Sequence, residues 1–168
     1  MFAMNKPLLS YDGDCSFCLF WLAQWRRVIG DRIDYAPYHE IVDRFPEIPV
    51  EHHRRAVHLF EPDGQVTEGA EAVFRALSLA PGHRHWLWAY HRVPGARWVF
   101  DTGYRFIARH RAGLYKVTRW TYGEDQMKRP LEASPVSPRG KLPIVLGVTA
   151  GAVLLWWVVR RRPRSAKK

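Results

Sequence analysis

Leu8-Leu9-Ser10-Tyr11-Asp12-Gly13-Asp14-Cys15-Ser16-Phe17-Cys18 reads as a buried strand, a sharp turn and two cysteines opening a helix. Leu8 to Tyr11 is a short, mostly apolar run. Asp12-Gly13-Asp14 supplies turn chemistry and a candidate N-cap, with Asp14 the favoured capping residue. From Cys15 to Arg27, the residues Phe17, Cys18, Trp21, Leu22 and Trp25 recur at the i, i+3, i+4 spacing of one buried helix face.

Residues three apart on a helix lie on one side, a turn above each other, so the two sulfurs can meet. Cys15 falls at the helix start, where unpaired N–H groups and the macrodipole stabilise a thiolate. Cys18, one turn inside, is more buried and suited to resolving a mixed disulfide. Asp12 is a candidate proton relay for Cys18, although a carboxylate beside a thiol also raises its pKa. The catalytic candidates are therefore Cys15, Cys18 and Asp12. A Cys-x-x-Cys that follows a strand and opens a helix reads as a thioredoxin-like redox motif.

Other chemistries compete for the same residues. Structural zinc takes about four ligands. The chain has only two cysteines, and His39, His52, His53 and His58 show no clean ligand spacing. A pair of inert buried thiols is a second alternative. A third takes Asp12-x-Asp14 as a phosphotransferase nucleophile and acid, but no later acidic pair or lysine motif completes that site. No cofactor and no metal is expected; haem ligation by His83, His85 or His91 has no supporting motif.

Tyr-Asp-Gly-Asp-Cys-Ser-Phe-Cys (residues 11–18) resembles the Asp-Gly-x-Cys-x-x-Cys signature of the DCC family, predicted thiol-disulfide oxidoreductases with a thioredoxin-like fold. The likeness continues in Val57-His58-Leu59-Phe60-Glu61-Pro62-Asp63-Gly64 and Glu68-Gly69-Ala70-Glu71-Ala72-Val73. It returns in Arg92-Val93-Pro94 and in Tyr104-Arg105-Phe106-Ile107-Ala108-Arg109-His110-Arg111, so it covers about residues 6–115. The resemblance implies a thioredoxin-like fold and a redox role, with Asp12, Cys15 and Cys18 at the signature positions and a protein or small-molecule thiol or disulfide as partner.

The rest of the chain follows that order. Ile33 to Pro37 resembles a second strand, completing a βαβ unit with the first strand and helix. A short helix around Ile41 to Phe45 is interrupted by Pro46 and Pro49. His52-His53-Arg54-Arg55 reads as a solvated surface turn. Ala56 to Phe60 is a third strand, Pro62-Asp63-Gly64 a hairpin turn and Gln65 to Glu68 the return strand. Ala70 to Ala80 has a helical pattern ending before Pro81-Gly82. The expected fold is thus α/β, a thioredoxin-like βαβ-ββα core. Thioredoxin places a cis-proline just before its third strand. Here the nearest preceding proline is Pro49, seven residues before Ala56, and its isomer is open. Beyond the core, His85 to Tyr90 and Pro94 to Arg111 read as a C-terminal helical extension. Trp98, Phe100, Tyr104, Ile107 and Ala108 give the second helix an apolar side that packs on the core, in preference to lying on lipid headgroups.

At 168 residues the chain fits one modest domain plus an appendage. Its net charge of +10 is concentrated in residues 139–168, which hold eight basic residues and no acid; the remainder carries only +2. A nucleic-acid partner thereby loses its main support. The expected organisation is a thioredoxin-like domain with its helical extension over 1–115, a linker over 116–141, a single-pass transmembrane helix over 142–159 and a basic tail over 160–168. Leu142 to Val159 holds eighteen residues without a charge, followed by Arg160-Arg161-Arg162. Gly147 and Gly151 offer a face for a membrane-protein partner. Met1 to Pro7 lacks a signal-peptide pattern and both cysteines lie in the motif, which favours a cytoplasmic thiol domain on a lipid bilayer anchor. The positive-inside tendency points the other way, with six basic residues after the apolar run against four just before it. The functional expectation is a membrane-anchored thiol-disulfide oxidoreductase. The alternative is a non-catalytic accessory or assembly subunit that keeps the fold as a scaffold.

Overall fold

The protein is described by a computed structural model covering residues 4–122. Its order is β1 (Leu8–Tyr11), α1 (Ser16–Ile29), β2 (Asp34–Pro37), α2 (Tyr38–Ile41), α3 (Val50–Arg55), β3 (His58–Phe60), β4 (Val66–Glu68), α4 (Gly69–Ser78), α5 (Arg84–Arg92) and α6 (Ala96–Tyr122). The strands form one sheet in the order β2-β1-β3-β4. β1 pairs in parallel with β2, while β3 runs antiparallel to both β1 and β4. This mixed sheet is compatible with a thioredoxin-like core.

Both faces of the central strands are covered, which is why β1 reads as a continuous buried run and not as an alternation. Leu9 and Tyr11 of β1 and Leu59 of β3 join Leu22, Ile29, Ala72, Ala76 and Leu77 from α1 and α4. On the opposite face, Leu8 and Phe60 pack with Ile41 of α2 and with Phe45. A third cluster, built on Ala70, Phe74 and Tyr90 with Trp86 and Phe100 beside it, joins α4 to α5 and α6.

Tyr104 of α6 reaches into the sheet layer: its hydroxyl oxygen accepts the Val57 N–H at 3.0 Å. Burial pushes the Tyr104 phenol up to about 12, so it stays neutral. Gly69, which opens α4 at φ +63°, faces this ring; a Cβ there would lie 3.4 Å from Tyr104 Cδ1. A Cβ at Gly69 would therefore meet the left-handed backbone penalty while only touching the ring at ordinary contact distance.

Several expectations change. The cluster His52-His53-Arg54-Arg55 is not a surface turn but most of helix α3, entered from Pro49. The helix turns His53 inward, leaving it 1% exposed. All described peptide bonds are trans, Pro49 included. On α1, Phe20 is buried at 4% exposure although it lies off the face that the spacing marks. α6 continues to Tyr122, and its inward face is Phe100 and Tyr104, whereas Trp98 and Ile107 are exposed.

The single-pass transmembrane part of the expected fold is corrected: among the described residues no helix is long and apolar enough to cross a membrane. α6 has the length, at 27 residues, but Arg97, Asp101, Arg105, Arg109, Arg111, Lys116 and Arg119 are spread along it. Charges at that density are expensive in a bilayer core. The stretch 142–159, the basic tail 160–168, Gly147 and Gly151 lie outside the described residues, as does the greater part of the 116–141 linker.

Candidate functional site

β1 ends at Tyr11 and the chain turns at once. The Asp12 Oδ1 accepts the Asp14 N–H at 3.1 Å, a local turn that competes with any continuation of the strand. The Cys15 N–H donates to the Asp12 carbonyl at 3.4 Å and closes the turn. A side chain at Gly13 would be tight, since a Cβ would approach the Pro37 Cβ to 3.0 Å and His39 Cε1 to 3.2 Å. The turn thus rests against the end of β2 and the start of α2.

Cys15, not Asp14, caps α1. Its backbone is extended (φ −95°, ψ 102°), and its Sγ accepts the Cys18 N–H at 3.2 Å. One of the orphan donors of the helix start is therefore aimed at the sulfur. Cys15 and Cys18 form a disulfide, with their Cα atoms 5.2 Å apart. Cys15 lines an open pocket of about 430 Å³ together with Asp12, Phe17, Tyr38, Arg54 and Tyr115. Cys15 is half-buried at the helix mouth, and the pocket leaves space beside it.

The residue that completes this site comes from far along the chain. Arg111 of α6 places Nη1 2.9 Å from Asp12 Oδ2, 3.8 Å from Cys18 Sγ and 3.2 Å from the Arg54 carbonyl. The Asp12 side chain is only 12% exposed and that of Arg111 34%. One guanidinium thus neutralises the carboxylate, approaches the inner sulfur and ties α6 to the end of α3. From sequence, Arg111 ends the second extension helix and falls within the family likeness, with no role assigned.

Asp12, Cys15 and Cys18 also form the one group of three potential metal ligands among the described residues, their donor atoms lying within 4.8 Å of one another. In the state seen here the disulfide has consumed both thiolates and Arg111 occupies the carboxylate. None of His39, His52, His53 or His58 joins the cluster.

Behind the site, His53 of α3 and His58 of β3 form a buried pair with ring centroids 4.9 Å apart. His58 lies opposite Ser10 of β1, and Tyr38 stacks over His53 at 6.3 Å. Burial lowers the pKa of both imidazoles from the ordinary 6.5; Glu47 opposes this weakly at His53, and Glu68, 3.5 Å from His58, opposes it at His58. The unfolded chain therefore binds more protons than the folded one just below pH 6.5, so stability held above that pH is lost as the pH falls. The expected result is a urea midpoint that drops between about pH 7 and 5, where ordinary carboxylates scarcely titrate. His53→Phe should flatten part of that slope; an unchanged slope would show that His53 is not its source.

Residues 9–117 match a family model described as DCC1-like thiol-disulfide oxidoreductase. No match was found among curated proteins or among solved structures. The matched stretch is well over half of the chain and runs from the first strand through Arg111, with the paired cysteines of the Cys-x-x-Cys motif inside it. On that match and that pair, the chain belongs to the DCC1-like thiol-disulfide oxidoreductase family.

Proposed function

We propose that the protein catalyses thiol-disulfide exchange through Cys15 and Cys18, with Asp12 handling the proton of the inner thiol. The observation that carries this reading is the Cys18 N–H directed at the Cys15 sulfur at the mouth of α1. In the reduced protein the same donor favours a Cys15 thiolate, the form that attacks disulfides. Cys15 is the sulfur that lines the open pocket, so it meets the substrate first. Cys18, one turn inside, then attacks the Cys15–substrate mixed disulfide and releases the second substrate sulfur. Asp12 lies within 4.8 Å of both sulfurs and is held in place by Arg111. It is the nearest carboxylate able to accept the Cys18 proton in that second step. Arg111 is a positioning residue: it fixes Asp12 and sets a positive charge beside Cys18. The disulfide seen in the structure is the oxidised end of the same cycle, and a substrate thiolate attacking it runs the reaction backwards. A reducing compartment suits this chemistry, since neither cysteine is committed to a structural bridge elsewhere.

The test is iodoacetamide labelling of the reduced protein against pH. Cys15 should react with a midpoint clearly below the ordinary thiol value of about 8.5. A midpoint at or above that value would remove the activated nucleophile on which the proposal stands.

A further inference from the structure

A second, larger cleft of about 980 Å³ lies between α3 and α6, floored by the start of α4. Arg54 and Arg111 line both this cleft and the pocket that holds Cys15, so the two spaces share a wall. Six arginines and four carboxylates line the large cleft. Two of those carboxylates are engaged, Glu71 with Arg97 and Asp101 with Tyr90 and Arg97, while Glu51 and Glu68 stand against the four remaining arginines besides Arg97 and Arg111. Among the described residues no carboxylate pairs with Arg54, Arg55 or Arg109, and Arg105 reaches only the Thr102 hydroxyl at 3.5 Å. Arg105 and Arg109 stand one turn apart on α6 and face the α3 arginines across the cleft. Uncompensated guanidinium groups converging on a concave surface recognise carboxylates, which they bind in a bidentate fork. The volume is that of a small-molecule site.

We propose that this cleft binds a small disulfide bearing carboxylates, or the corresponding thiol, and presents its sulfur to Cys15. The proposal rests on the exchange reading above and names its substrate class. In the reducing direction the Cys15 thiolate attacks one substrate sulfur, the substrate S–S bond breaks and the departing thiolate takes up a proton. Cys18 gives up its proton and attacks the Cys15 sulfur, the Cys15–Cys18 bond forms and the second substrate thiolate leaves. Two electrons pass from the protein dithiol to the substrate. The guanidinium groups hold the carboxylates throughout and take no part in the bond changes.

The experiment compares oxidation of the reduced full-length protein by three disulfides: glutathione disulfide (anionic), bis(2-hydroxyethyl) disulfide (neutral) and cystamine (cationic). Each rate is divided by that of dithiothreitol with the same disulfide, which removes intrinsic reactivity. Glutathione disulfide should be favoured over the neutral probe by about tenfold or more at low salt, with cystamine slowest. The preference should shrink as the salt is raised from about 0.01 M to about 1 M. In Arg54→Glu/Arg109→Glu the ratio of anionic to neutral rates should collapse to near one, and Arg54→Gln/Arg109→Gln should fall between. Equal normalised rates for all three probes would overturn the substrate class and leave the exchange chemistry standing. A dithiol that none of the three oxidises faster than unfolded protein would instead overturn the exchange reading itself. A preference that survives in both double variants would move carboxylate binding away from this cleft.

Discussion

Cys15→Ser should abolish exchange, and Cys18→Ser should stop the reaction halfway with the substrate attached. The asymmetry follows from the helix mouth. Cys15 accepts the Cys18 N–H and borders the open pocket, whereas Cys18 sits one turn inside, beneath the Arg111 side chain. Without Cys15 the remaining thiol has neither the directed N–H nor the opening, and turnover should fall to the level of a free surface thiol, a loss of several orders of magnitude. Without Cys18 the first attack still occurs, but the mixed disulfide on Cys15 is not resolved from within the protein. Intact-protein mass spectrometry after mixing with a disulfide reads the difference directly: a stoichiometric adduct on Cys18→Ser and almost none on Cys15→Ser. An adduct that accumulates on Cys15→Ser instead would reverse the roles of the two sulfurs.

Arg111→Met has the second largest expected effect, and it acts on two readouts. The substitution keeps the length of the side chain but removes the charge beside Asp12 and Cys18 and the donor to the Arg54 carbonyl. Breaking a fully buried ion pair costs about 3–5 kcal/mol. With Arg111 about a third exposed, screening reduces this, and a loss of roughly 1–2 kcal/mol in denaturant unfolding is expected. The kinetic effect should be sharper. Removing a cation from beside a thiol raises its pKa, so the resolving step should slow at neutral pH and its pH profile should move upward. Arg111→Lys restores the charge but not three simultaneous acceptors, and should recover part of the rate and little of the stability. If Arg111→Met lowers stability while the pH profile of resolution stays in place, Arg111 is a tie between α6 and the core and does not tune Cys18.

Helix α3 is decided by contacts that lie outside its own sequence. His52-His53-Arg54-Arg55 is polar at every position, and on composition alone a polar run belongs in solvent. Helix α3 exposes Arg54 and Arg55 but turns His53 against Tyr38, His58 and Phe60. That choice depends on the rings that β3 and α2 present and not on any spacing within the run. α6 shows the same limit from the other side. Its apolar residues are more numerous than the ones it buries. Phe100 and Tyr104 face inward because α4 and α5 lie there, and Trp98 and Ile107 are left outside. The longest helix also carries charge along its whole length, which rules it out as a bilayer span despite its reach.

What the amino-acid order determined by itself was the local chemistry at β1 and α1. A short buried run, an Asp-Gly-Asp turn and two cysteines at helical spacing require only interactions between near neighbours, and those are legible without knowing what packs above them. The choice of Cys15 over Asp14 as the cap is also one between near neighbours; tertiary structure alone decided that His53 is buried and that Arg111, from the far end of the domain, stands between Asp12 and Cys18. The reason is physical: a buried ring and a counter-charge are each settled by which distant groups lie within a few ångströms. For Arg111 and Asp12 that proximity spans 99 positions of chain and exists only once α6 has folded back across the sheet.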